Sequence, residues 1–149
     1  MRRLLLLGTV IMLLSSFGYA TELIKNGSEY PIDKLREKNQ KIIKMVVSEI
    51  SKQLPQKVDK YTQMTGIRDN NLTLIYTFEI NTGAKSDESV KKDDKKRMEK
   101  SVTRGVCQSS KRFLEAGVTL TYEYLSASTK KELFVFTMTQ KKCKDLKDD

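Results

Sequence analysis

Apolar residues recur along the chain at two periods, near 3.6 and 2, in alternating blocks. Leu35, Ile42, Ile43, Val46, Val47, Ile50 and Leu54 fall on one side of a helix predicted from Ile32 to Leu54. Pro31 suits its first turn, Asp33 complements the positive end of the helix dipole, and Pro55 stops it. Lys34, Lys38, Lys41, Lys44 and Lys52 occupy the other side, so the helix is amphipathic and basic. Its stripe is expected to pack on a sheet, while the basic face leaves contact with a membrane surface open.

A mixed polar and β-prone run follows, then strict alternation from Leu72 to Ile80. Gln56 to Ile67 reads as a strand with a bulge at Gly66, and Leu72 to Ile80 as a second strand after the Asp69-Asn70-Asn71 turn. Asp87 to Cys107 is charge-dense but keeps Val90, Met98, Val102 and Val106 near helical spacing, with acidic residues crowding its start. Its charges nearly cancel, so it reads as a solvated face. A short helical turn over Lys111 to Ala116 ends at Gly117, which suits the left-handed position. Val118 to Tyr124 and Leu133 to Thr139 alternate again. The last run is apolar on both faces, which predicts a central or doubly covered strand. The expected class is α+β: a four-stranded antiparallel sheet with two main helices packed on it, in the order α-β-β-α-β-β, with one disulfide.

The N-terminus carries a different pattern. Arg2 and Arg3 precede an apolar run from Leu4 to Leu14, and Gly18-x-Ala20 places small residues before a cleavage point. This is the layout of a secretory signal peptide, too short to span a bilayer comfortably. The expected organisation is a signal peptide over 1–20 and a flexible arm over 21–30, containing Asn26-Gly27-Ser28. A single α+β domain over 31–143 and a charged tail over 144–149 follow. Cleavage near Ala20 predicts a periplasmic or secreted protein.

That location changes how composition is read. The 149 residues include 28 Lys and Arg against 19 Asp and Glu, a formal charge of +9. Loss of Arg2 and Arg3 with the leader lowers it to +7. An exported chain has no ordinary access to cellular nucleic acid, so the charge reads first as a solvated Lys-rich surface that maintains solubility, and beyond that as fitting anionic partners in the envelope. These are an acidic protein face first, with weak membrane or cell-wall contact. Lys34, Lys38, Lys41 and Lys44 are the candidate surface.

Candidate chemistry is sparse. With no His, imidazole catalysis, His-ligated zinc and a histidine pH switch are excluded. Cys107 and Cys143 are the only thiols and cannot make a four-thiolate site. In an oxidising compartment they read as one disulfide. The sequence lacks Walker, GxGxxG, GxSxG, HExxH and CxxC motifs, so no catalytic residue, cofactor or metal is expected. Asp93 and Asp94 are adjacent and would diverge on a helix, a poor acid/base pair. Tyr76, Tyr122 and Tyr124 are read as sheet-face packing, with a ligand-facing aromatic patch as the alternative.

Leu54-Pro55 through Ile80, and Val106-Cys107 through Cys143 with LEAGVTLTYEY (114–124) at the centre, together resemble small uncharacterised exported bacterial proteins with a helix–hairpin–helix–hairpin layout. The resemblance implies a periplasmic location and the same Cys-linked layout, but no activity and no site residues. The functional expectation is a non-enzymatic binding or accessory protein of the bacterial envelope, such as a helper of a secretion or surface-assembly complex. The alternative is an inhibitor or immunity-type protein that neutralises another exported protein. An enzyme would need Glu, Lys, Tyr or Ser chemistry, for which no spacing is present.

Overall fold

The computed structural model describes residues 32–145; the predicted leader and arm and the last four tail residues lie outside them. Helix α1 spans Ile32–Ser51, and the chain leaves it through the Leu54–Pro55 segment. Strands β1 (Gln56–Lys57), β2 (Thr62–Asn70) and β3 (Thr73–Ile80) follow, then helices α2 (Asp87–Ser109) and α3 (Lys111–Glu115). Strands β4 (Thr119–Ser126) and β5 (Glu132–Met138) and helix α4 (Gln140–Asp145) complete the domain.

The expected four-stranded antiparallel sheet is corrected to a five-stranded mixed sheet in the order β1-β2-β3-β4-β5, with four helices among the described residues. Two physical causes explain the difference. First, Gln56 to Ile67 is not one strand. Asp59 Oδ1 accepts hydrogen bonds from the amides of Tyr61 and Thr62, both at 2.8 Å, and this turn reverses the chain. Gln56 and Lys57 therefore pair back on Met64 and Gln63.

Second, β3 and β4 run parallel, with Thr73 opposite Thr119 and Ile80 opposite Ser126. Helix α2 covers about 34 Å, enough to carry the chain back along the length of β3. The Thr119 amide then donates to the Leu72 carbonyl at 2.9 Å, at the end where β3 begins.

Several local expectations hold. Asp87 and Glu88 stand in the first turn of α2 as expected, and the structure adds a cap, Ser86, which accepts from the Ser89 amide. Gly117 adopts φ +80° just after α3, and the β2–β3 register shifts between Met64 and Gly66. Strand β5 departs from expectation: it is an edge strand, not a central one. Phe134, Phe136 and Met138 are buried, whereas Val135 on the other face is 41% exposed.

The core lies between the sheet and the helices. Ile43 of α1, Leu74 of β3, Leu120 of β4 and Met138 of β5 are essentially sealed from solvent. Helix α1 lies against β2 and α2 against β5. Asn39 is buried on α1 and donates through Nδ2 to the Ala116 carbonyl at 3.0 Å, tying α1 to the turn before β4.

Cys107 and Cys143 form the expected disulfide, with Cα atoms 5.5 Å apart. Cys143 sits within α4, so the bridge joins helix α2 to helix α4. With Cys107 ending the second predicted helix and Cys143 just past the last predicted strand, the sequence implies a bridge from helix to sheet edge; the helix Gln140–Asp145 corrects this to a link between two helices.

Candidate functional site

Helices α1 and α2 cover opposite sides of the same sheet face, and a groove of about 730 Å³ opens beside α2. Its floor is aromatic. Phe78 of β3, Tyr124 of β4 and Phe134 of β5 occupy one row across the sheet, because their strands pair in register. Phe78 and Tyr124 stack with centroids 5.0 Å apart, and Tyr124 meets Phe134 edge-on at 6.5 Å. The next row continues the pattern, with Tyr76 stacked on Tyr122 at 5.1 Å.

Val90, Met98 and Val102 of α2 form one wall. The opposite lip is the β1–β2 corner, where Val58 and Tyr61 are 56% and 58% exposed. Large apolar side chains this exposed at the rim of an aromatic floor form a contact surface rather than a core. The corner is held by the turn at Asp59. Hydrogen bonding from the Tyr61 amide keeps the Asp59 carboxyl below its ordinary range. Burial chiefly, with a contribution from the Asp59 charge, pushes the Tyr124 hydroxyl up to about 12, so the floor is neutral at physiological pH.

Polar groups ring the groove. Asp94 on α2 is paired with Arg97 at 2.7 Å and lies 4.0 Å from Lys85. The Arg97 hydrogen bond is the main cause that lowers the Asp94 carboxyl. Asp93 is exposed and turned to Ser89, so the two adjacent carboxylates do not converge. Among the described residues no group of three or more Cys, Asp or Glu is placed to hold a metal.

The sequence-predicted surface lies elsewhere. Lys34, Lys38, Lys41 and Lys44 all stand exposed along α1 and do not line the groove. Of the three singled-out tyrosines, Tyr124 reaches it, while Tyr76 and Tyr122 pack beside it. Sequence reasoning missed Val58 and Tyr61, because an unbroken strand was drawn through the corner. Asp59, three residues before Thr62, was the available turn signal.

Residues 37–134 match the model of a domain family of unknown function, DUF8479. The chain belongs to this family. No curated protein sequence matches it. Three solved structures share the fold. One is a protein from Pseudomonas aeruginosa described as secreted, with 16% identity, a TM-score of 0.62, and coverage of 73% of this chain and 96% of that one. Another is EpsS, the pilotin of the Vibrio vulnificus type 2 secretion system, with 12% identity, a TM-score of 0.60 and coverage of 74% and 96%. The third is the type II secretion pilotin AspS of Vibrio cholerae, with 14% identity, a TM-score of 0.57 and coverage of 75% and 98%. These likenesses establish a shared fold. None of the three is described as an enzyme.

Proposed function

We propose that this DUF8479 protein is an exported, non-enzymatic accessory component of bacterial envelope secretion machinery. It holds an apolar-faced segment of a partner protein in the groove beside α2. The observation that carries this reading is the groove between α2 and an exposed Val58–Tyr61 lip, floored by the largely buried aromatic row Phe78–Tyr124–Phe134. A neutral, aromatic floor with a charged rim suits apolar anchor side chains from a partner.

The fold shared with two type II secretion pilotins supports placing that partner in a secretion complex. The Cys107–Cys143 disulfide supports maturation in an oxidising compartment. Export is taken to proceed by cleavage near Ala20, leaving the 31–143 domain with a short arm over 21–30 before it and a charged tail after it. The lysines Lys34, Lys38, Lys41 and Lys44 draw an acidic partner face during encounter, from the helix across the sheet.

The test is photo-crosslinking from position 61 in the native envelope, with identification of the adduct. Adducts with a component of a secretion or surface-assembly complex are expected, and Phe78→Ala should abolish them. Adducts with a secreted toxin or enzyme that the protein inactivates would replace this reading with the inhibitor or immunity-type one. An absence of adducts at position 61, alongside efficient adducts from the sheet's far face, would overturn the groove as the site.

A further inference from the structure

Helix α2 presents a second surface, on the flank away from the groove. Lys92, Lys96, Lys100 and Arg104 follow one another at four-residue intervals and are all exposed. They form a crest about 18 Å long, turned away from the buried Val90 and Val106 side. Among the described residues none of the four has an ion-pair partner. Like charges at this spacing work against the helix that carries them. Of the acids nearby, Asp94 is paired with Arg97 and Glu99 with Lys142, while Glu88 and Asp93 are exposed on the same helix, Asp93 accepting from the Ser89 hydroxyl, so the crest keeps a net positive charge.

Beside the crest, α2 and α4 flank a cleft of about 650 Å³, lined by four cations, Lys96, Lys100, Arg104 and Lys142, by Thr103, and by two carboxylates, Glu99 and Asp145. The Cys107–Cys143 disulfide holds its two walls together. Thr103 is 3% exposed, and its hydroxyl is buried without a hydrogen-bond partner. A buried donor left unpaired is a cost that a bound acceptor would relieve.

We propose that this flank docks the protein on an anionic phospholipid surface, with a headgroup phosphate seated in the α2–α4 cleft. Four cations on a straight, convex crest match a flat sheet of negative charge. Mostly lysine, they act as point charges that need no fixed ligand geometry. A phosphodiester supplies the acceptor oxygens that Lys96, Lys100 and the Thr103 hydroxyl lack. The groove lies on the other flank of α2, so a docked protein keeps it open to a partner.

The experiment is co-sedimentation of the mature, disulfide-bonded protein with vesicles of phosphatidylcholine, with or without phosphatidylglycerol. Binding is expected only with phosphatidylglycerol and should weaken with salt. The K96Q/K100Q/R104Q variant should lose about a hundredfold in affinity, at about fivefold per cation near the surface. Thr103→Val should weaken binding several-fold while leaving the Tm unchanged or raised, a split that a purely structural role would not produce. Equal binding to neutral vesicles would overturn the proposal, as would retention by K96Q/K100Q/R104Q when K34Q/K38Q/K41Q abolishes binding. So would thermal stabilisation by inorganic phosphate, or capture by polyglutamate, without vesicle binding; these would assign the flank to a free anion or an acidic protein.

Discussion

At the scale of single residues, two buried polar groups do measurable work. Asn39 is 4% exposed, and its Nδ2 donates to the Ala116 carbonyl across the junction of α1 with the β4 turn. Asn39→Ala would leave that carbonyl short of a donor and open a small void, costing about 1–3 kcal/mol. Urea denaturation measures this, and a loss below the error of the fit would show that water replaces the bond. Tyr124 acts through protonation. Burial first, and the Asp59 charge next, raise its hydroxyl to about 12, and burial also raises Tyr76 and Tyr122. Because the folded values lie above the unfolded one, near ~10, this burial contributes fully below that pH. The contribution falls as pH rises from there through the folded values. Alkaline unfolding curves should therefore steepen above pH ~10, and Tyr124→Phe should flatten them. An unchanged alkaline limb in the variant would contradict the assignment.

At the scale of elements, the disulfide and one carboxylate fasten α2 at its two ends. The bridge closes a sequence separation of 36 residues. The chain-entropy account gives such a loop about 3–4 kcal/mol. Reduction, or Cys107→Ser with Cys143→Ser, should lower the Tm by well over ten degrees in a domain this size; coincident melts with and without reductant would refute that. At the other end, Asp87 in the first turn of α2 accepts from the Thr129 hydroxyl at 2.6 Å. That bond, chiefly, holds the Asp87 carboxyl below its ordinary value. Its folded value is depressed, so its stabilisation is present above the unfolded value near ~4 and disappears as pH falls. Thr129→Val should shift the acid unfolding midpoint upward, and an unmoved midpoint would place the acid-sensitive group elsewhere. Elements of this kind were legible in the chain because their causes are local. Alternation marked β3 and β4, the acidic Asp87-Glu88 start marked α2, and Gly117 marked the end of α3. Helix α4 was not legible, since Gln140–Asp145 has no apolar period and is held by Cys143 and by the Lys142–Glu99 pair.

Across the whole molecule, the parts that escaped sequence reasoning are those set by distant partners. Alternation cannot report strand direction, so the parallel β3–β4 pairing followed only from where α2 delivers the chain. Nor can it report an edge: β5 is apolar on both faces, yet one side of Val135 meets solvent. The groove combines both effects, because it needs three strands in register and a corner between β1 and β2. The α2 crest was legible as a spacing of four and was hidden by counting the helix's charge as a sum. This division of labour between interior and surface gives a last prediction. Phe134 and Tyr61 both belong to the groove, but Phe134 is 2% exposed and Tyr61 58%. Phe134→Ala removes core volume beneath α2 and should cost about 3–5 kcal/mol in urea denaturation. Tyr61→Ala, at the lip, should change stability by less than about 0.5 kcal/mol while abolishing partner capture. Because the lip and the α2 crest share no side chain, combining Tyr61→Ala with K96Q/K100Q/R104Q should leave partner and vesicle losses additive to within about 0.5 kcal/mol. Strong coupling between them would mean that one surface, rather than two, serves both contacts.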